Sequence, residues 1–339
     1  MIEFFIILFF FVLNYFFFCN FYKISLYLDV FDKPLKRKIH KKKVASIGGV
    51  FFLINFLFII AVGYLFKIKL FYFNIGDSVQ YFSFLITFIL FFILGILDDK
   101  YILSYKIKFF FSFLFLFFLI KIDKNLVIYE LRFSFLEYPI LLKYFATFFT
   151  ILCILLFLNA CNMIDGLNLL SISYFIFIIF FFIFNKYISN LFILLIFYYI
   201  FFIYLNNRNQ IFLGDNGTIS ISFLLSYFFI KSYNANFISN VDIIFLIMAV
   251  PGLDMFRLFL ERILNKKNPF KADSNHLHHL ILYRFPKKNV ASILLILVII
   301  FPYTLTFTKL SYLFILLITL LLYLTLLIFL KLKIKNKIK

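Results

Sequence analysis

The chain has 339 residues, 65% of them hydrophobic and 59 of them phenylalanine, and carries a formal net charge of +19. That much apolar surface excludes a soluble globular protein. Lysine and arginine in the cytoplasmic loops of a membrane protein account for the charge, so it does not point to nucleic acid. Cys19, Cys153 and Cys161 lie in or beside apolar segments, and their odd number suggests neither a disulfide framework nor a zinc site.

A bilayer-spanning helix needs about 20 apolar residues. Eleven stretches qualify: 2–22, 47–66, 80–97, 107–122, 139–158, 168–184, 191–205, 218–232, 240–256, 290–307 and 311–330. The expected fold is an all-α polytopic membrane protein of 10 to 11 helices, a single domain over 1–339 with a basic tail at 331–339. The first stretch has no basic n-region, so it reads as a span and not as a cleaved signal. With the N-terminus outside and the C-terminus inside, 25 of the 34 lysines and arginines fall in cytoplasmic loops. Every polar motif then falls on the cytoplasmic face.

The first inner loop holds Asp32, Pro34, a basic run with Arg37, Lys38 and His40, and then Gly48-Gly49. The run serves as a positive flank on anionic headgroups or as part of a site. The third span ends in Asp98-Asp99, an adjacent acid pair at the membrane edge that can share a cation or be an ordinary helix end. Lys106 and Lys108 follow, placed to meet phosphate or to snorkel. The loop 123–138 shows no chemistry.

The central stretch NACNMIDGLNLL repeats polar groups every third residue, at Asn159, Asn162 and Asp165, before Gly166. On a helix this makes a one-sided polar stripe. Asp215 stands between Gly214 and Gly217 ahead of an apolar helix, either as a cap or as an oxygen ligand for a hard cation. Asp254, Arg257 and Glu261 share a helix face. Three of the four histidines, His276, His278 and His279, fall within four residues. With the cations around them and no thiolate, they suit phosphate better than zinc. No P-loop, dinucleotide fingerprint or GxSxG elbow is present.

Taken in order, these motifs resemble the polyprenyl-phosphate N-acetylhexosamine-1-phosphate transferases, the WecA/TagO/MraY family. The resemblance runs from Asp29 to Arg284. It rests on DxPxxRKxH…GG at Asp32 to Gly49, GxxDD at Gly95 to Asp99, NxxNxxDG at Asn159 to Gly166, FLGDxG at Phe212 to Gly217, and PxxDxxR…PFxxDxxHxHH at Pro251 to His279. The RKxH and HLHHL segments look like the WecA/TagO branch more than MraY. The chain departs from the family at Asn168-Leu169, where DGxDGL has Asp and Gly, and at Ser112, where Gln is usual.

The resemblance implies transfer of a sugar 1-phosphate, most naturally N-acetylglucosamine 1-phosphate, from a UDP-sugar to a polyprenyl phosphate, with release of UMP. It implies an enzyme of the cytoplasmic membrane, with membrane lipids and a homodimer among its partners. The implied cofactor is Mg2+, with Mn2+ able to substitute. Asp98, Asp99, Asp165 and Lys106 are the implied catalytic residues, with Asp215 and Asn162 on the metal. Arg37, Lys38, His40, Asn159, Asn162, Asn168, Arg257, His276, His278 and His279 are implied for substrate. A phospho-MurNAc-pentapeptide transferase of the MraY type is the neighbouring alternative. A lipid or ion transporter is the alternative of another class, but it would place acids deep within spans.

Overall fold

A computed structural model describes residues 2–34, 42–269 and 275–338. Arg37, Lys38 and His40 lie outside the described residues. In chain order the helices are α1 (Ile2–Leu28), α2 (Gly48–Leu65), α3 (Ser78–Tyr101), α4 (Tyr105–Ile122), α5 (Ala146–Ile164), α6 (Leu170–Phe184), α7 (Leu195–Asn207), α8 (Gly214–Asn234), α9 (Val241–Leu264), α10 (Leu277–Arg284), α11 (Lys288–Thr304) and α12 (Tyr312–Ile338). Each of the eleven expected spans overlaps one of these, the fifth starting ahead of α5, and α10 is the short helix between spans. Eight helical segments among the described residues are long and apolar enough to cross a membrane. Two short antiparallel pairs, β1 (Phe31–Asp32) with β2 (Val44–Ala45) and β3 (Glu130–Leu131) with β4 (Ile140–Leu141), complete the architecture. The chain divides into two compact units, Met1–Leu126 with Phe175–Phe237, and Val127–Tyr174 with Ile238–Lys339.

The first unit is built on α8, which is buried along nearly its whole length. Thr218, Ser220, Ser222 and Ser226 bond back to their own helix, Thr218 donating to the Gly214 carbonyl and Ser226 to that of Phe223. Rings fill the space against α3, with Phe84 stacked on Tyr227 at 4.3 Å and Phe91 on Phe223 at 4.7 Å. Two polar pairs lie inside the unit. Asn14 of α1 and Asn55 of α2, both buried, exchange amide hydrogen bonds of 2.7 and 2.9 Å. Asp123, at the end of α4, meets Lys231 of α8 at 2.7 Å, and both are buried. The 123–138 loop therefore begins with a buried ion pair. Breaking such a pair by removing one partner costs about 3–5 kcal/mol.

In the second unit α9 packs on α5, α11 and α12. Pro251 lies inside α9 and brings no N–H, so the carbonyl of Ile247 one turn back loses its helical partner. The buried Tyr174 hydroxyl donates to that carbonyl at 3.2 Å. A proline in a buried helix is tolerated here because a tyrosine supplies the missing donor. An unpaired buried carbonyl would cost about 1–3 kcal/mol.

Candidate active site

In the first unit, three of the sequence motifs interlock. Gly95 of α3 lies against the start of α8; a Cβ there would come within 2.4 Å of the Asn216 Cα. That close approach is what the glycine of GxxDD permits. One turn later Asp99 reaches the N-terminus of α8. Its carboxylate accepts from the backbone N–H groups of Asp215 (3.0 Å) and Asn216 (2.9 Å), and from the Asn216 amide (2.5 Å). The Ser46 hydroxyl donates to it at 3.3 Å. Asn216 also donates to the Ser46 carbonyl at 2.7 Å, which ties the segment before Gly48 into the same knot. Asp99 is thus a cap supplied from a neighbouring helix, where a carboxylate suits the helix dipole. Asp99, expected among the catalytic residues, thus lies against the backbone of Asp215 with its oxygens engaged by α8 and Ser46.

Asp98 points elsewhere. It accepts from the Leu103 backbone N–H at 2.8 Å, which fixes the turn into α4. Its other oxygen lies 2.5 Å from the Lys108 ammonium, which is also 3.7 Å from Asp215. Asp98 and Asp215 are within hydrogen-bonding reach of each other. Two carboxylates and one ammonium thus form a compact charged group at the ends of α3, α4 and α8. Lys106, expected as the catalytic lysine, is exposed, and Lys108 stands in the cluster. Ser104 caps α4 through the Ile107 N–H and sets its register. Positions 106 and 108 then project about 200° apart, so only one lysine can face Asp98.

In the second unit, Asn159 and Asn162 stand on the last turns of α5, and the Asn159 amide donates to the Leu155 carbonyl at 2.7 Å. Asp165 is not on the stripe; it ends the helix and accepts a hydrogen bond from the Ser171 hydroxyl. Asn168 is buried, and its backbone carbonyl takes the Ser292 hydroxyl at 2.7 Å.

The three histidines are clustered, with the His276 ring stacked on that of His278 and the His279 ring tilted against it. The His276 and His278 rings are 5.2 Å apart, and those of His278 and His279 4.2 Å. Gly166 lies against this cluster: a Cβ there would sit 2.0 Å from His278 Nε2. Burial, then His279 and His276 beside it, hold the His278 imidazole well below its ordinary pKa. His278 is therefore neutral at pH 7 and not a cation.

Arg257, expected to grip the diphosphate, is otherwise engaged. Its side chain is 9% exposed. It donates to Asp254 (2.7 Å), Glu261 (3.0 Å), the Tyr323 hydroxyl (2.9 Å) and the Asn275 carbonyl (2.8 Å). Asp254 in turn accepts from the Leu277 N–H at 3.1 Å, at the start of α10, and lies 3.7 Å from His276. Arg257 and Asp254 are the scaffold of the histidine segment.

Residues 81–233, which carry the GxxDD, NxxNxxDG and FLGDxG motifs, match the model of Glycosyl transferase family 4. The chain is also 26% identical over 290 residues to the probable undecaprenyl-phosphate N-acetylglucosaminyl 1-phosphate transferase of Bacillus subtilis (strain 168), covering 81% of this chain and 75% of that one. It is 25% identical over 275 residues to the undecaprenyl-phosphate alpha-N-acetylglucosaminyl 1-phosphate transferase of Salmonella typhi, and 26% identical over 275 residues to that of Escherichia coli (strain K12). Both of those alignments cover 77% of this chain and 71% of the relative. Over those residues the chain is similar to the glycosyl transferase family 4 proteins.

Its departure from the DGxDGL pattern of family 4 has a backbone consequence. Leu169, where that pattern writes glycine, has φ +68°. A residue with a Cβ pays about 1–2 kcal/mol in that left-handed region. Leu169→Gly is therefore expected to leave the unfolding midpoint in detergent unchanged or raised, the relief of strain offsetting the lost side chain. Leu167→Ala, at a buried position with ordinary φ, is expected to cost about 2–5 kcal/mol. Thermal unfolding of the two variants side by side checks this.

Proposed function

We propose that this protein transfers N-acetylglucosamine 1-phosphate from UDP-N-acetylglucosamine to undecaprenyl phosphate at the cytoplasmic face of the cell membrane. The observation that carries the reading is the Asp98–Lys108–Asp215 group. It stands at the ends of apolar helices, where a phosphate on a lipid tail and a soluble nucleotide can both arrive. An oxygen of the lipid phosphate attacks the sugar-bearing phosphorus of the donor. The bond from that phosphorus to the UMP oxygen breaks, and UMP leaves with the electron pair. One phosphoanhydride replaces another, so no further energy source is required.

Mg2+ fits the donor set in part. Asp98 and Asp215 offer hard oxygen ligands around a point where the protein already stabilises positive charge, that of Lys108. Asp99 does not fit, because both its oxygens are taken by α8 and Ser46. Bound Mg2+, or Mn2+ in its place, would neutralise the donor diphosphate and ease departure of UMP. Asp98 would orient the lipid phosphate and take its proton. Lys108 would hold Asp98 ionised and pass to the incoming phosphate oxygens. The family resemblance offers Asn162, Asp165 and the histidines of the second unit as further candidates for binding nucleotide or phosphate.

The test is UMP release by the purified protein in detergent, with undecaprenyl phosphate and a panel of UDP-sugars, with and without Mg2+. UMP is expected only with lipid, metal and UDP-N-acetylglucosamine together. Folded protein that releases no UMP with any donor would overturn the reading.

A further inference from the structure

The C-terminal helix lies beyond every motif of the sequence and beyond the family match, yet it reaches into the second unit's polar network. Tyr323 of α12 is 2% exposed. Its hydroxyl donates to Asp254 Oδ1 at 3.1 Å and accepts from Arg257 Nε at 2.9 Å. It therefore touches both polar members of PxxDxxR at once. Asp254 passes the constraint to the N–H of Leu277, and Arg257 passes it to the carbonyl of Asn275. These two contacts bracket His276. Two turns further along α12, Lys331 lies 2.5 Å from Glu261, whose other oxygen holds Arg257.

We infer that Tyr323 is a positioning residue of the transferase: through Asp254 and Arg257 it fixes the start of α10 and with it the cluster His276, His278 and His279. The ring alone would satisfy packing. The hydroxyl is needed because a buried carboxylate and a buried guanidinium each require a full set of partners. If Tyr323 loses its oxygen, Asp254 Oδ1 keeps Arg257 alone, and Arg257 Nε loses the hydroxyl that accepts from it. The pair can then settle in more than one geometry, and the loop it anchors follows. Lys331 contributes less, since its side chain is 45% exposed and water screens the pair.

The catalytic half of this inference rests on the function proposed above, so two measurements are paired. Tyr323→Phe removes a single oxygen. Amide hydrogen exchange over Leu277–Arg284 is expected to rise at least tenfold in the variant, with the rest of α9 and α12 unchanged. In the UMP assay, kcat/KM for the UDP-sugar is expected to fall at least tenfold while KM for undecaprenyl phosphate stays within twofold. Thr325→Val, on an exposed stretch of the same helix, is expected to alter neither. Unchanged exchange in Tyr323→Phe would overturn the positioning role even if activity fell. Raised exchange with equal losses for both substrates would overturn the link to the donor. If the wild-type protein releases no UMP, the proposed reaction fails, and the exchange measurement still decides whether Tyr323 orders the histidine segment.

Discussion

Lys108→Met is expected to lower UMP release by about 100-fold or more, whereas Lys106→Met, two residues away, is expected to stay within about threefold. The magnitude follows from the loss of one fixed charge aimed at a reacting phosphoryl group, which costs about 10²–10³ in rate. The contrast follows from the register of α4. Lys108 is 2.5 Å from Asp98 and 3.7 Å from Asp215, while Lys106 faces away and is exposed. Without Lys108, two carboxylates that approach each other have no opposing charge, and an incoming lipid phosphate meets only negative groups. Asp98→Asn is expected to be similarly severe, since the oxygen that would take the proton is gone. The lysine variants are compared by initial rates at saturating substrates, with size-exclusion profiles to show that each is folded. An active Lys108→Met beside an inactive Lys106→Met would reverse the assignment.

That contrast also marks how far the sequence could be read. The spans were legible because hydrophobicity over about 20 residues is a one-dimensional property, and each of the eleven apolar runs became a helix. The motif residues were legible as types and as order. Their partners were not. Asp98 and Asp99 are neighbours in sequence but about 100° apart on α3, so one faces Lys108 and the other caps α8. No spacing rule says which acid does which. Arg257 looked like a phosphate ligand because arginine commonly is one. Only the positions of Asn275 and Tyr323, 18 and 66 residues away, show it holding a loop. The Asp123–Lys231 pair, 108 residues apart, had no local signal at all. Tertiary pairing of polar groups inside a membrane protein is decided by which helices touch, and hydropathy does not carry that information.

Gly166→Ala is the second large effect expected. In NxxNxxDG the glycine can be read as loosening a turn, but the structure gives it a different necessity. A methyl group at Gly166 would lie 2.0 Å from His278 Nε2, 2.5 Å from Cε1 and 2.7 Å from Cδ2. A flexible side chain could swing away, but this ring cannot. His278 is buried, with the rings of His276 and His279 both against it, and it sits at the start of α10 where Asp254 holds the Leu277 N–H. The added methyl must therefore move either the cluster or the loop that carries Asp165. A displacement of about 1 Å at a positioned group can cost about 100-fold in rate. UMP release by Gly166→Ala is expected to fall by at least that factor, with a loss of about 1–3 kcal/mol in stability from the overpacked site. Gly252→Ala supplies the comparison within the same unit. It lies inside α9 with open space where the methyl would go, so it is expected to keep full activity and to gain about 0.5–1 kcal/mol. Rates and unfolding midpoints of the two variants, measured together, separate steric contact with His278 from any general intolerance of alanine. If Gly166→Ala turned over normally, the histidine cluster would have to be free to move, and its candidacy as a fixed part of the binding site would be lost.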